Sequence, residues 1–196
     1  MNIPTFSLFL ELGFDKVNEM WRKMRFSFEL VNTPSLALGT AEANIREVAI
    51  AYSSFVNGGY RMGLWSISSI ITHSGDTIYS RKTTGEKVRI MTERTSQLMS
   101  AMLRKADSEG TGVSMNSVNR DDIPHAGKTG TSQDYSDAWF AAFNPGLVIV
   151  SRAGASSRSI HFNSGSYGTG SALALPLVGL TLKKVKQNKS LRENLI

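Results

Sequence analysis

The string Ala126-Gly127-Lys128-Thr129-Gly130-Thr131 carries the residue types best suited to chemistry in this chain. On an extended strand, Lys128 supplies a fixed positive charge for a carboxylate, and the hydroxyls of Thr129 and Thr131 can hydrogen-bond the same group. Gly130 has no Cβ, so an extended peptide can approach its backbone closely, as in strand addition. A backbone N–H on such an edge can also face a developing oxyanion. Three such common residues also occur together by coincidence, and the plain alternative is an edge strand with a solvated lysine. A phosphate-cradling loop is excluded: Asp122 stands where that motif needs glycine, five positions before Gly127, and no helical pattern follows.

The segments around this strand carry readable signals of their own. Leu8, Leu12, Val17, Met20 and Met24 recur at helical spacing across residues 5–24, with Pro4 at a tolerated first-turn position. Residues 32–35 read as a loop. Residues 42–55 read as a second helix, stopped by Asn57-Gly58-Gly59. A hairpin follows, with residues 64–72 and 77–79 joined by a turn at His73–Asp76. Residues 88–104 read as a helix, with Met91, Met99 and Met102 in its core stripe, and residues 108–122 as a loop. Strands are expected over residues 124–131, 137–143 and 147–153. A Gly/Ser-rich stretch then leads into a last helix over residues 172–186. Helices followed by a small antiparallel sheet and a closing helix define an α+β domain.

Composition narrows the function classes. The chain has 196 residues, 41% of them hydrophobic, which is enough for a substantial core. With no cysteine it has no thiol nucleophile, zinc–thiolate site or iron–sulfur cluster. His73, His125 and His161 are scattered, so neither metal nor cofactor is expected; His125 reads as space-filling beside the lysine strand. Asp134 and Asp137 read as a solvated pair flanking a turn. The net charge of +6 permits an anionic partner, but no aromatic–basic stripe or recognition helix supports a specific nucleic-acid site. Lys183, Lys184, Lys186, Lys189 and Arg192 read as one solvated helix face. The first residues lack a basic segment and their apolar run is cut by Glu11, so no secretory signal is expected. The most apolar stretch, residues 171–182, is too short to span a bilayer and contains Pro176.

Wider context turns the lysine strand into a resemblance. Residues 128–140, Lys-Thr-Gly-Thr-Ser-Gln-Asp-Tyr-Ser-Asp-Ala-Trp-Phe, resemble the KTGT strand and the strand after it in transpeptidase domains of penicillin-binding proteins, the bifunctional class A group in particular. Pro34-Ser35-Leu36-Ala37-Leu38-Gly39-Thr40-Ala41-Glu42 resembles another segment of that family. So do Ala51-Tyr52 through Phe55-Val56-Asn57-Gly58-Gly59, Arg158-Ser159-Ile160-His161-Phe162 and Ala172-Leu173-Ala174-Leu175-Pro176. The strings follow family order over nearly the whole chain. The resemblance implies the C-terminal part of a penicillin-binding/β-lactamase-like transpeptidase fold, an antiparallel sheet flanked by helices. It implies peptidoglycan D,D-transpeptidation by a serine nucleophile. It also implies binding of D-Ala-D-Ala stem peptides and β-lactams, and a site on the periplasmic face of the inner membrane. The substrate-binding residues it points to are Lys128, Thr129, Gly130 and Thr131.

The family's catalytic set is S-x-x-K, S-x-N and K-T-G. No serine stands three residues before any lysine here, so the nucleophile motif is absent. Ser114-Met115-Asn116 and Ser117-Val118-Asn119 lie too near the K-T-G strand for the family's order and are read as coincidence. Asn2 precedes Lys128 by about the family's separation, and is read as a remnant of S-x-N whose serine lies upstream of Met1. Residues 1–196 then form a partial transpeptidase domain, lacking the S-x-x-K segment and the helix on which the sheet packs. Without an activated nucleophile no acyl-enzyme forms, so the chain is expected to be inactive alone; the missing N-terminal part of the domain is a natural partner. The alternative is a non-catalytic cell-wall peptide-binding module that retains the K-T-G strand. Two departures from the family pattern, Ser151-Arg152-Ala153-Gly154 at a strand end and Leu177-Val178-Gly179 after Pro176, place a cation and small residues where aromatics are usual. Both are expected to loosen packing at the sheet.

Overall fold

The computed structural model describes residues 2–81, 87–115 and 125–192. The opening helical stretch is two helices, α1 (Ile3–Leu12) and α2 (Phe14–Met24). Gly13 separates them at φ +80°, ψ 153°, a conformation only glycine adopts without strain, so one continuous helix is corrected to two. Pro34–Leu38 winds a short 3-10 turn ended by Gly39, within and beyond the expected loop. Helix α3 (Ile45–Ser53) starts three residues later than its apolar pattern suggests. Asn44 fixes that start with a capping box: its side chain accepts from Glu47 N at 3.0 Å, and Glu47 Oε2 accepts from Asn44 N at 3.1 Å.

Two small ladders follow. Strand β1 (Tyr60–Met62) pairs with β4 (Lys87–Arg89), and β2 (Ser69–Ile71) with β3 (Thr77–Ser80), the expected hairpin with a shorter first strand. Pairing with β1 takes residues 88 and 89 out of the helix expected over residues 88–104. Helix α4 (Glu93–Glu109) begins after Thr92, whose hydroxyl accepts from Thr95 N at 3.1 Å, and it continues through residues read as loop. The face it buries is also displaced. Ser96 and Asp107 are buried while Leu98 and Met102 are 56% and 58% exposed, so Met102 leaves the expected core stripe. Buried Ser96 is satisfied locally and half-buried Ser100 across the interface: Ser96 Oγ donates to Glu93 O at 2.7 Å, and Ser100 Oγ donates to Phe55 O at 2.8 Å. Residues 116–119, with most of the two Ser-x-Asn strings, lie outside the described residues.

The principal sheet is antiparallel, in the order β5 (Ala126–Thr131), β6 (Asp137–Asn144), β7 (Leu147–Gly154). A one-turn helix α5 (Gly165–Gly168) interrupts the Gly/Ser stretch and leads to α6 (Ala174–Gln187) and the single turn α7 (Lys189–Arg192). Strand alternation sends Ala138, Phe140 and Ala142 to one face of β6, where they form a core with Leu175, Val178 and Leu182 of α6 and with Met115. On the opposite face, Phe143 meets the rings of Tyr52 and Phe55 at 6.1 and 6.0 Å. Burial there pushes the Tyr52 phenol up to about 12. Of the two departures from the family pattern, one lies in α6 and the other on β7. Val178 and Gly179 are buried in α6, and Arg152 is paired with Asp137 while its guanidinium lies 6.0 Å from the Trp139 ring on the neighbouring strand. Most of the basic tail is solvent-facing, as expected, with Lys186 half-buried.

The turn between β5 and β6 is built by polar side chains. Ser132 Oγ accepts from Ser136 N and Asp137 N, both at 2.9 Å, and Asp134 Oδ1 accepts from Ser136 Oγ at 2.8 Å. Asp134 therefore caps the turn while Asp137 pairs with Arg152, so they are not the solvated pair read from their spacing. Two outcomes follow from this packing. Phe140 is fully buried, and Phe140→Ala is expected to cost about 3–5 kcal/mol, read as a fall in the urea midpoint at unchanged slope. The Ser136 and Ser132 hydroxyls hold the Asp134 carboxyl low, at about 2. Its support of the turn is thus complete above the ordinary aspartate range and is lost as pH falls through about 2. In an NMR titration Ser136→Ala should raise that midpoint toward the ordinary value.

Candidate functional site at strand β5

Among the described residues strand β5 is held by β6 on one side only, in the register Gly127↔Ala142, Lys128↔Ala141, Thr129↔Phe140, Gly130↔Trp139 and Thr131↔Ala138. Directly opposed residues share a face. Thr129 and Thr131 therefore lie on the Phe140 face, toward α6, and Lys128 and Gly130 on the other. The lysine nevertheless comes alongside Thr129, because its chain folds back and Nζ donates to Thr129 O at 2.8 Å. Lys128 is exposed and Thr129 half-buried. An exposed ammonium one bond from a strand carbonyl can exchange that carbonyl for a carboxylate without any buried charge being uncovered.

Small residues let other segments close on the strand. A Cβ on Gly127 would stand 2.9 Å from both Ala141 O and Phe140 Cζ, and one on Gly130 would stand 3.2 Å from Trp139 Cβ. At the far end the loop after α5 crosses over β5 and β6. Gly170 N donates to Thr131 Oγ1 at 3.0 Å, and the site of a Gly170 Cβ is filled by the carbonyls of Trp139 and Gly130. The Thr131 hydroxyl thus accepts from Gly170 and keeps its own hydrogen for another partner. The same loop wraps the β5–β6 turn, with Gly165 and Gly168 lying against Tyr135, which holds φ +55°.

Beside β5 runs the end of α4. His125, immediately before β5, brings Nε2 to 2.8 Å from Asp107 Oδ2, and both side chains are more than nine-tenths buried. His125 is therefore the partner of a buried carboxylate, not a space-filler. His73 and His161 stand in other segments, and no group of three potential metal ligands occurs among the described residues. Thr111, in the turn after α4, places Oγ1 at 2.6 Å from Thr129 Oγ1. Neither Thr111 nor the Asp107–His125 pair stands out in the sequence; the only local signal is the Gly110-Thr111-Gly112 string. Asn2 stands at the start of α1 with its carbonyl accepting from Phe6 N at 3.0 Å and no side-chain capping bond. Arg158 and Glu42, from two strings far apart in the chain, meet at 3.0 Å on the surface.

The sequence and the fold have counterparts. The sequence model described as the penicillin-binding protein transpeptidase domain matches residues 10–150. Penicillin-binding protein 1A of Neisseria meningitidis (serogroup A, strain Z2491) is 31% identical over 180 residues, which is 90% of this chain and 22% of that protein. Among solved structures, penicillin-binding protein 1A from Haemophilus influenzae superposes with a TM-score of 0.85 at 21% identity, over 96% of this chain and 33% of that one. An imipenem acyl-enzyme complex of penicillin-binding protein A from M. tuberculosis superposes with a TM-score of 0.74 at 17% identity, over 93% of this chain and 45% of that one. The chain thus spans about a fifth of the length of the curated relatives it matches. Its sheet and helices, its motif order and the match across most of its length all agree: the chain belongs to the penicillin-binding protein transpeptidase family.

Proposed function

We propose that this chain is a piece of a peptidoglycan D,D-transpeptidase and that β5 is its carboxylate-binding strand, taking the C-terminus of a D-Ala-D-Ala stem peptide or the carboxylate of a β-lactam. The observation that carries the reading is Lys128-Thr129-Gly130-Thr131 on a strand that, among the described residues, is paired along one side only, within a transpeptidase fold. A ligand carboxylate displaces Thr129 O from the Lys128 ammonium and collects hydrogens from Thr129 and Thr131. The M. tuberculosis relative crystallised as an imipenem acyl-enzyme supports β-lactams as ligands for this fold.

The chemical step belongs to a longer assembly. No S-x-x-K string occurs in the sequence, and an acyl-enzyme needs a serine whose proton is taken by a neighbouring base. The chain by itself then binds without being acylated, and Asn2 is read as the S-x-N asparagine of the completed site. The unburied apolar residues of α1, with Ile3, Leu8, Leu10 and Leu12 between 42% and 81% exposed, support a role for further protein packed on this side. Work in the periplasm follows from the substrate; among the described residues no helix is long and apolar enough to cross a membrane.

Two measurements test the reading. Fluorescent penicillin should leave no covalent label on the purified chain, and label should appear when the transpeptidase segment that carries S-x-x-K in a class A relative is supplied with it. Covalent label on the isolated chain would overturn the assignment of the nucleophile to another segment. In a calorimetric titration with a peptide ending in D-Ala-D-Ala, Lys128→Ala should weaken binding roughly tenfold or more, the usual worth of a hydrogen bond to a charged group. Unchanged affinity would remove Lys128 from the site.

A further inference from the structure

We propose that Thr111 is a positioning residue for β5: its hydroxyl donates to Thr129 Oγ1 and so turns the single hydroxyl hydrogen of Thr129 toward a carboxylate-bearing ligand. This rests on β5 being the carboxylate-binding strand.

The two hydroxyl oxygens are 2.6 Å apart, a short hydrogen bond in which either oxygen can be the donor. A threonine hydroxyl has one hydrogen and two lone pairs. If Thr129 donates to Thr111, only lone pairs remain to face an anion, and the contact is repulsive. If Thr111 donates, Thr129 accepts on one lone pair and directs its hydrogen outward. An anion beside Thr129 therefore selects one order, Thr111 to Thr129 to carboxylate, in which each bond polarises the next. The arrangement at Thr131 is parallel, since its oxygen accepts from Gly170 N at 3.0 Å and its hydrogen is likewise left for a ligand.

Thr111 is exposed, so burial does not place it; the turn around it does. Gly110 ends α4 with its Cβ position 3.2 Å from Ala106 C, and a Cβ on Gly112 would stand 2.7 Å from Asp107 Cα. No other residue fits at either position without moving the turn, which packs back on the last turn of α4. That last turn is joined to the start of β5 by the buried Asp107–His125 contact at 2.8 Å. The strand and the turn that carries Thr111 are thus tied at two points, the buried Asp107–His125 contact and the hydroxyl pair. The residue that orients Thr129 is held in place by contacts separate from the ligand site.

The test follows β5 amide shifts of the full chain by NMR during titration with a D-Ala-D-Ala peptide as the free acid and as its C-terminal amide. Thr111→Val, which keeps shape and removes the hydroxyl, should weaken the free acid about five- to tenfold. It should leave the weaker binding of the amide unchanged, and Thr111→Ser should restore the acid to the wild-type value. If Thr129→Val loses the acid but Thr111→Val does not, the proposal fails while the reading of β5 stands. A loss with Thr111→Val that Thr111→Ser does not restore, or one equal for acid and amide, also overturns it, because the residue then acts on the fold and not on the hydroxyl. If the wild-type chain does not distinguish acid from amide, or Thr129→Val binds the acid normally, the reading of β5 fails and takes this proposal with it.

Discussion

Everything proposed for this chain depends on the ladder between β5 and β6. Six consecutive residue pairs, from Ala126↔Phe143 to Thr131↔Ala138, set the height and facing of every side chain on the lysine strand. Because strand side chains alternate, a slip of one residue would turn Lys128 toward α6 and send Thr129 to the opposite face. Such a slip is prevented from the β6 side. That strand is buried on both faces, with Phe140 packed on α6 and Phe143 packed on the aromatic pair from α3 and its C-terminal extension. Moving β6 by one residue would place asymmetric, well-filled surfaces against the wrong partners. The hydrophobic core and the candidate site are therefore one problem: what fixes the core fixes the strand that carries the chemistry.

Around that ladder, close approach depends on missing side chains and on matched polar groups. Gly127, Gly130 and Gly170 allow ring, strand and loop atoms to come within distances that a Cβ would block. Several polar groups taken out of water meet specific partners. Asp107 faces His125, Asp137 faces Arg152, Asn144 Oδ1 accepts from Gly146 N at 3.0 Å, and Ser151 Oγ donates to Ala174 O at 2.7 Å. The last bond joins the start of α6 to β7, so the helix that covers Phe140 is fixed by a directional contact as well as by apolar burial. A buried donor or acceptor without a partner costs more than a made bond contributes, and these pairings make the loops around β5 specific in position.

The same structure leaves much apolar surface uncovered. None of the ten residues of α1 is buried, although seven of them are apolar. On α4 the exposed Leu98 and Met102 lie outside the face that packs, and among the described residues β7 has a ladder on one side only. An unpaired apolar edge beside bare helices is the kind of surface that proteins cover. With relatives about five times the length of the matched region, a chain that carries the K-T-G strand without S-x-x-K is coherent as a component of a larger site.

What could be known from the sequence, and what could not, divides by the range of the interactions. Motif order identified the family, and the β6 and β7 strands and α6 came within a few residues of their positions, because alternation and helical period are local properties. The Lys128–Thr131 string was legible for the same reason. Local patterns misjudged α4: apolar periodicity chose Met102 for the core, but Ser100 found Phe55 O and Asp107 found His125, and those partners lie far along the chain. Gly13 was passed over because a helical stripe on both sides outweighed a single residue whose φ becomes positive only in the fold. Thr111 was invisible because a hydroxyl 18 residues from its partner has no sequence spacing of its own. The sequence by itself determined the elements, the family and the chemical character of β5. Only tertiary structure decided which hydroxyls meet, which charges are paired and which face of each helix is covered, because those outcomes depend on contacts between segments that no local period encodes.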